Sequence, residues 1–338
     1  MKKRIIFKLK KIIINSTLIF IVIEIIYCLF LKINIATNNE EFMYMLLNNK
    51  NYYQIYIKDH NTLISKGIRF LTNIDIKNPK SILENKFKIK ENTIPVMYTT
   101  SSDEEYIKDK DSEYIKDPIK KEVTNPKVYI YNTHQLESYS KKVYEDYNIT
   151  PNVMMASYVL RENLNNKNID TIVETSNITD FLNSNGWNYS YSYNASRYYL
   201  KDALKKYKNL ELIIDLHRDA IKKNASTITI NNKKYAKVLF VVGLKNKKYK
   251  ENLNVVTQLN NILNKKYPKL SRGIMKKEGK NVNGIYNQDL NKNIILIELG
   301  GMENNLEEVM NTSIVLSEVI KEYLEEKNEW RKGKKNNN

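Results

Sequence analysis

The chain has 338 residues, of which 42 % are hydrophobic, enough for one large domain or two smaller ones with a sizeable core. Its formal net charge of +17 suits an anionic partner such as nucleic acid, acidic lipid or a wall polymer, but the lysines are spread along the chain and no nucleic-acid motif accompanies them. A single cysteine, Cys28, excludes intrachain disulfides and cysteine-rich metal sites, so any zinc site must be built from histidine and carboxylate.

Residues 1–11 carry Lys2, Lys3, Arg4, Lys8, Lys10 and Lys11 and read as a basic cytoplasmic tail. Residues 12–31 follow as an apolar run, interrupted by Asn15, Ser16, Thr17 and one charge, Glu24. As a helix that run spans about 30 Å. With no small-x-small site after it, it predicts an uncleaved membrane anchor with the remainder of the chain outside the cytoplasm. Residues 32–125 read as a membrane-proximal stalk without chemistry. It holds a short helix over 41–47, another over 63–71, and a charged near-repeat at 105–109 and 113–117 that reads as solvated linker. His60 stands in a polar turn without a partner motif.

From 126 to 326 the pattern changes. Strands are expected at 128–131, 169–173, 210–215 and 293–297. Helices are expected at 152–166, 193–207, 252–267 and 306–324, and a hairpin over 228–242 turning at Asn231-Asn232. The tail from Lys327 is basic and reads as frayed. This alternation predicts an α/β fold, a mostly parallel central sheet with helices on both faces, and ligands at the carboxyl ends of its strands.

The chemistry is expected at those strand ends. Only three histidines occur, and two of them, His134 and His217, end strand-like runs. Glu137 stands three residues after His134, and Glu298 ends the last strand. In a parallel sheet His134, His217 and Glu298 reach one edge. Two imidazoles and a carboxylate are a ligand set for Zn²⁺ with an open position for water, and a further carboxylate can act as base. His134, Glu137 and His217 are therefore the expected ligands and Glu298 the expected base. A surface role for Glu137 and a structural role for a strand-end histidine are the plainer readings. Asp215 and Asp219 flank His217 and could orient it. Arg218 could meet a substrate carboxylate or Asp219. Tyr189, Tyr191 and Tyr193 with Ser192, Ser196 and Arg197 could line a groove or simply pack.

The motifs Tyr-Asn-Thr-His-x-x-Glu-Ser at 131–138, Ser-Tyr-x-x-Ser-Arg at 192–197, Asp-Leu-His-Arg-Asp at 215–219 and Glu-Leu-Gly-Gly at 298–301 resemble the stage II sporulation protein P family. The resemblance covers roughly residues 126–324. It implies an amidase or zinc-exopeptidase-like fold, Zn²⁺ as cofactor, and a late catalytic Glu298 with Asn304 nearby. It also implies hydrolysis of the N-acetylmuramoyl-L-alanine amide of peptidoglycan, with room for endopeptidase action on cross-links. Further implications are a role in engulfment at the mother-cell membrane facing the forespore, and stage II sporulation proteins D and M as partners. A zinc carboxypeptidase acting on wall peptides and a non-catalytic wall-binding scaffold are the alternatives. Nucleic acid is not an expected partner.

Overall fold

The computed structural model describes residues 14–22, 38–48, 112–119, 123–141, 149–280 and 282–336, with side chains to 330. It divides into two units, residues 1–37 and 38–338. In the first, residues 14–22 are helical with Leu18, Ile19 and Phe20 exposed. The rest of the expected anchor, His60, the expected helix at 63–71 and the first copy of the near-repeat lie outside the described residues. Among the described residues no helix is long and apolar enough to cross a membrane.

The second unit opens with α1 (Asn39–Asn48). The elements of the α/β fold follow as β1 (Val128–Tyr131), α2 (Val153–Asn165), β2 (Thr171–Val173), α3 (Ile178–Ser184), α4 (Ser192–Lys206) and β3 (Leu212–Asp219). Next come β4 (Thr227–Ile230), β5 (Lys233–Ala236), β6 (Val238–Gly243), α5 (Tyr249–Lys266), β7 (Ser271–Lys277), β8 (Ile294–Gly301) and α6 (Leu306–Asn336). Six strands form one sheet in the order β2-β1-β3-β8-β6-β7. All neighbours in it are parallel except β6 and β8. The uniform burial of β1, β6 and nearly all of β3 and β8 is what a sheet covered on both faces demands.

Strand parity assigns the two faces. Tyr129, Tyr131, Ile213 and Ile294 pack under Leu200 and Ala203 of α4. On the other face Asn132 accepts a bond from Ser157 of α2 at 3.0 Å, and α2 packs along α6. Asn152 starts α2 because its carboxamide accepts from the backbone N–H groups of Met154 and Met155.

Three sequence expectations change. The hairpin is confined to β4 and β5, whose two-residue turn places Asn231 and Asn232 at φ 49° and 60°. Val238–Gly243 instead enters the central sheet, antiparallel to β8. A continuous run of fully buried apolar residues belongs to a covered strand rather than to a half-exposed hairpin arm. The second copy of the near-repeat is docked rather than solvated. Ile115 is fully buried, its carbonyl accepts from Tyr158, and Arg161 forms an ion pair with Asp117. The basic tail from Lys327 continues α6, and the Lys327 ammonium donates to the Glu211 carbonyl at 2.9 Å.

Candidate metal centre

β1, β3 and β8 are adjacent in the sheet, so the three motifs that the sequence spreads over more than 160 residues converge. β1 ends at Tyr131, and the loop that follows is sewn to β3. The Thr133 N–H donates to Asp215 Oδ1 at 2.9 Å, its hydroxyl to Asp215 Oδ2 at 2.7 Å, and the Asn132 carboxamide to the Leu216 carbonyl. Those bonds fix where His134 leaves the strand. A turn then closes, with the Glu137 N–H on the His134 carbonyl at 3.2 Å, which folds the Glu137 carboxylate back toward its own histidine. The local reason for a His-x-x-Glu spacing is that turn.

Glu137 Oε1 lies 3.3 Å from His134 Nδ1 and 3.4 Å from His217 Nδ1. The donor atoms of the three residues all fall within 4.8 Å of one another. Donors about 2.1 Å from a tetrahedral zinc ion stand about 3.4 Å apart, so the two measured separations fit one shared ion. The donor set, two imidazole nitrogens and a carboxylate oxygen, suits Zn²⁺. Glu137 Oε2 accepts the Arg218 N–H at 2.9 Å, which turns Oε1 toward the histidines. Behind His217, its Nε2 lies 2.9 Å from Oδ1 of the fully buried Asp215. A carboxylate behind a metal-binding imidazole fixes its tautomer and orientation.

His217 sits inside β3 and Glu298 inside β8, directly paired in register, so both side chains leave the same face. Glu298 Oε2 is buried and, among the described residues, has no hydrogen-bond partner. Burial pushes its carboxyl up to about 8; the Glu137 and Asp219 carboxylates push the same way, and His217 opposes them. Burial alone would also raise Glu137, but the two imidazoles outweigh it and hold that carboxyl far below the usual range. Burial lowers His134. It works against the charged form of His217 as well, yet Asp215 and Glu137 together raise His217 well above an ordinary imidazole. One carboxylate is thus held ionised against the histidines and the other is left with high proton affinity. Such a division would suit a metal ligand and a base.

The remaining expected residues fall around this centre rather than in it. Arg218 donates Nε–H to the Ser138 carbonyl at 2.9 Å, and Asp219 pairs with Arg272 at 2.7 Å. Ser192 is buried with its hydroxyl on the Tyr189 carbonyl. Arg197 makes a two-pronged pair with Asp289, both bonds 2.7 Å. Asn304 is fully buried. Its Oδ1 accepts the Gly301 N–H at 2.8 Å and its amide donates to Thr227 and Glu308. It holds the irregular end of β8, where Gly300 takes φ +74° and a Cβ would lie 2.7 Å from Asn304 Oδ1. Tyr189 and Tyr193 face His134, with ring centroids 5.2 and 5.4 Å away.

Sequence reasoning named Asp215 behind His217 but missed the chain that continues from it. Thr133, Ser196 and Asn287 form a buried chain leading from Asp215, with links of 2.9 and 3.0 Å. Thr133, beside His134, was open to inference. Asn287, at φ 55° in a loop, carried no signal. A cavity of about 960 Å³ beside β2, walled by Tyr129, Arg161 and Glu174, lies away from the candidate ligands.

A family model described as Stage II sporulation protein P (SpoIIP) matches residues 42–321. The chain belongs to this family. Stage II sporulation protein P of Bacillus subtilis (strain 168) is 40 % identical over 201 residues, covering 58 % of this chain and 50 % of that one. The chain therefore spans about half the length of the curated relative it matches. Among solved structures, the CwlD amidase of Clostridioides difficile, in complex with the GerS lipoprotein, aligns with TM-score 0.38 at 14 % identity, over 59 % of this chain and 98 % of that chain. Cwp6 from Clostridium difficile aligns with TM-score 0.37 at 12 % identity, over 60 % and 30 %. Both scores are below 0.5, and the functional reading rests on neither. The family match begins inside α1, which accords with the docking of residues outside 126–326 onto the same unit.

Proposed function

We propose that this chain is a zinc-dependent peptidoglycan hydrolase that cleaves the amide between N-acetylmuramic acid and the L-alanine of the stem peptide. The observation that carries it is the convergence of His134, Glu137 and His217 donors beside Glu298, whose buried Oε2 has no hydrogen-bond partner among the described residues. Family membership supports the wall substrate and the setting in engulfment.

His134 and His217, through Nδ1, and Glu137, through Oε1, would hold the ion. When bound, Zn²⁺ supplies a Lewis acid for the scissile carbonyl and the attacking water. Asp215 keeps the His217 imidazole oriented, and the Arg218 N–H keeps Glu137 turned inward. Glu298 accepts a proton from the water as its oxygen attacks the lactyl carbonyl of N-acetylmuramic acid. It returns that proton to the departing α-amine of L-alanine as the C–N bond breaks. The products are a lactyl carboxylate on the glycan and a stem peptide with a free amine. Endopeptidase action on cross-links is the same chemistry on a peptide carbonyl.

The apolar run at 12–31 supports a single-pass anchor with the enzyme outside the cytoplasm, and the family resemblance supports stage II sporulation proteins D and M as partners. Digestion of purified peptidoglycan followed by mass spectrometry tests the reaction. Free stem peptides and unsubstituted glycan are expected. Loss of a terminal amino acid alone would instead establish the carboxypeptidase.

A further inference from the structure

The segment from Asn177 to Tyr191 differs from the rest of the protein. Asp180 is its one charged residue, in a chain where 28 % of residues are charged. Its aliphatic side chains, Ile178 and Leu182, are buried. What it shows to solvent is aromatic rings among amides and hydroxyls: Trp187 is 37 % exposed and Tyr191 46 %, with Asn183, Asn185, Asn188 and Ser190 exposed around them. Trp187 and Tyr191 lie 5.4 Å apart at 34° and form a shallow shelf. Phe181 carries the shelf on to Tyr198, which is 57 % exposed. At its other end, Tyr189 lies between Trp187 and Tyr191 in sequence and its ring meets His134 at 5.2 Å. The segment that carries the shelf thus also sends one ring to the metal centre.

The exposed chemistry selects the occupant. An anionic polymer or acidic lipid needs lysine or arginine; residues 177–191 have none, and beside Tyr198 the Arg197 guanidinium is held by Asp289. A bilayer also takes Trp and Tyr at its interface, but its hold on a surface segment draws on exposed aliphatic side chains and basic residues beside the rings; here the aliphatics are buried and the segment has no basic residue. Flat ring faces bordered by neutral amides and hydroxyls match the faces of pyranose rings, whose axial C–H groups stack on aromatics while their hydroxyls bond to the rim. We infer that Trp187, Tyr191 and Tyr198 form a saccharide-binding shelf that holds an uncharged glycan strand alongside the metal centre. The direction of that strand toward His134 rests on the hydrolase reading; the binding itself does not.

The test uses the full chain carrying Glu298→Gln, so that no bond cleavage is involved, and Trp330→Phe, so that Trp187 is the sole tryptophan. The probe is an uncharged N-acetylglucosamine hexamer. Saturable quenching and a blue shift of Trp187 emission are expected. Calorimetry should show binding weakened about tenfold by Trp187→Ala or Tyr191→Ala and largely kept by Trp187→Phe. A flat titration would overturn the proposal, as would equal binding by folded Trp187→Ala protein. So would Trp187 emission that responds to phosphatidylglycerol vesicles and not to the hexamer. Because the readout is binding by an inactive variant, it stands or falls separately from amide hydrolysis.

Discussion

Replacing Glu298 by glutamine should abolish hydrolysis and, in metal-free protein, raise stability at alkaline pH. With its carboxyl raised from 4.5 to about 8, the folded state keeps a proton that the unfolded chain releases. The stability linked to Glu298 is therefore fully present below pH 4.5, falls as pH rises, and is lost once pH passes about 8. Each tenfold difference in proton affinity between folded and unfolded chain is worth about 1.4 kcal/mol, which sets the ceiling on that loss at about 5 kcal/mol. Access of solvent to the partly exposed side chain lowers it, and a difference of at least about 1 kcal/mol at pH 9 is expected. Glutamine keeps the shape and cannot ionise. His217, whose own raised proton affinity also takes stability away as pH rises, is present in both proteins, so only its coupling to Glu298 enters the comparison. Urea denaturation of chelator-treated wild type and Glu298→Gln should coincide near pH 4.5 and separate by pH 9, with the variant the more stable. Coincident curves at pH 9, or a less stable variant, would refute the argument that burial sets this carboxyl.

The other expectations concern support and scaffold. Asp215→Asn should weaken zinc binding by about 10–100-fold, read by competition with a chromophoric chelator, because the imidazole of His217 loses the carboxylate behind it. Gly300→Ala combines a left-handed backbone with a Cβ 2.7 Å from Asn304 Oδ1 and 2.9 Å from the Ala236 Cβ; thermal unfolding should show a loss of about 1–3 kcal/mol. Asp117→Ala leaves the nearly buried Arg161 without its main partner and should cost about 3 kcal/mol. Limited proteolysis should then cut within 112–124 faster than in wild type.

What could be read from sequence followed from burial on both sheet faces. β1, β3 and β8 begin as continuous apolar runs, and a parallel arrangement of such runs necessarily collects the residues that follow them, so His134, His217 and Glu298 could be placed together. Three kinds of feature stayed hidden. β7 is a polar edge strand, Ser271–Lys277, with no alternating pattern to betray it. The docking of Ile115 depends on a partner, α2, that local composition does not name, so a charged repeat resembled linker. The chain from Asp215 through Thr133 and Ser196 to Asn287 joins residues 72 to 154 apart from Asn287 by side chain alone. Sequence periodicity reports backbone faces and carries no record of such links.

The central claim is that His134, Glu137 and His217 bind one zinc ion, and metal analysis of the purified full chain tests it most directly. Wild type should carry about one zinc per chain, a stoichiometry set by one three-ligand site, and folded Glu137→Ala and His217→Ala should carry almost none. Zinc retained at the wild-type level by both variants would contradict the account.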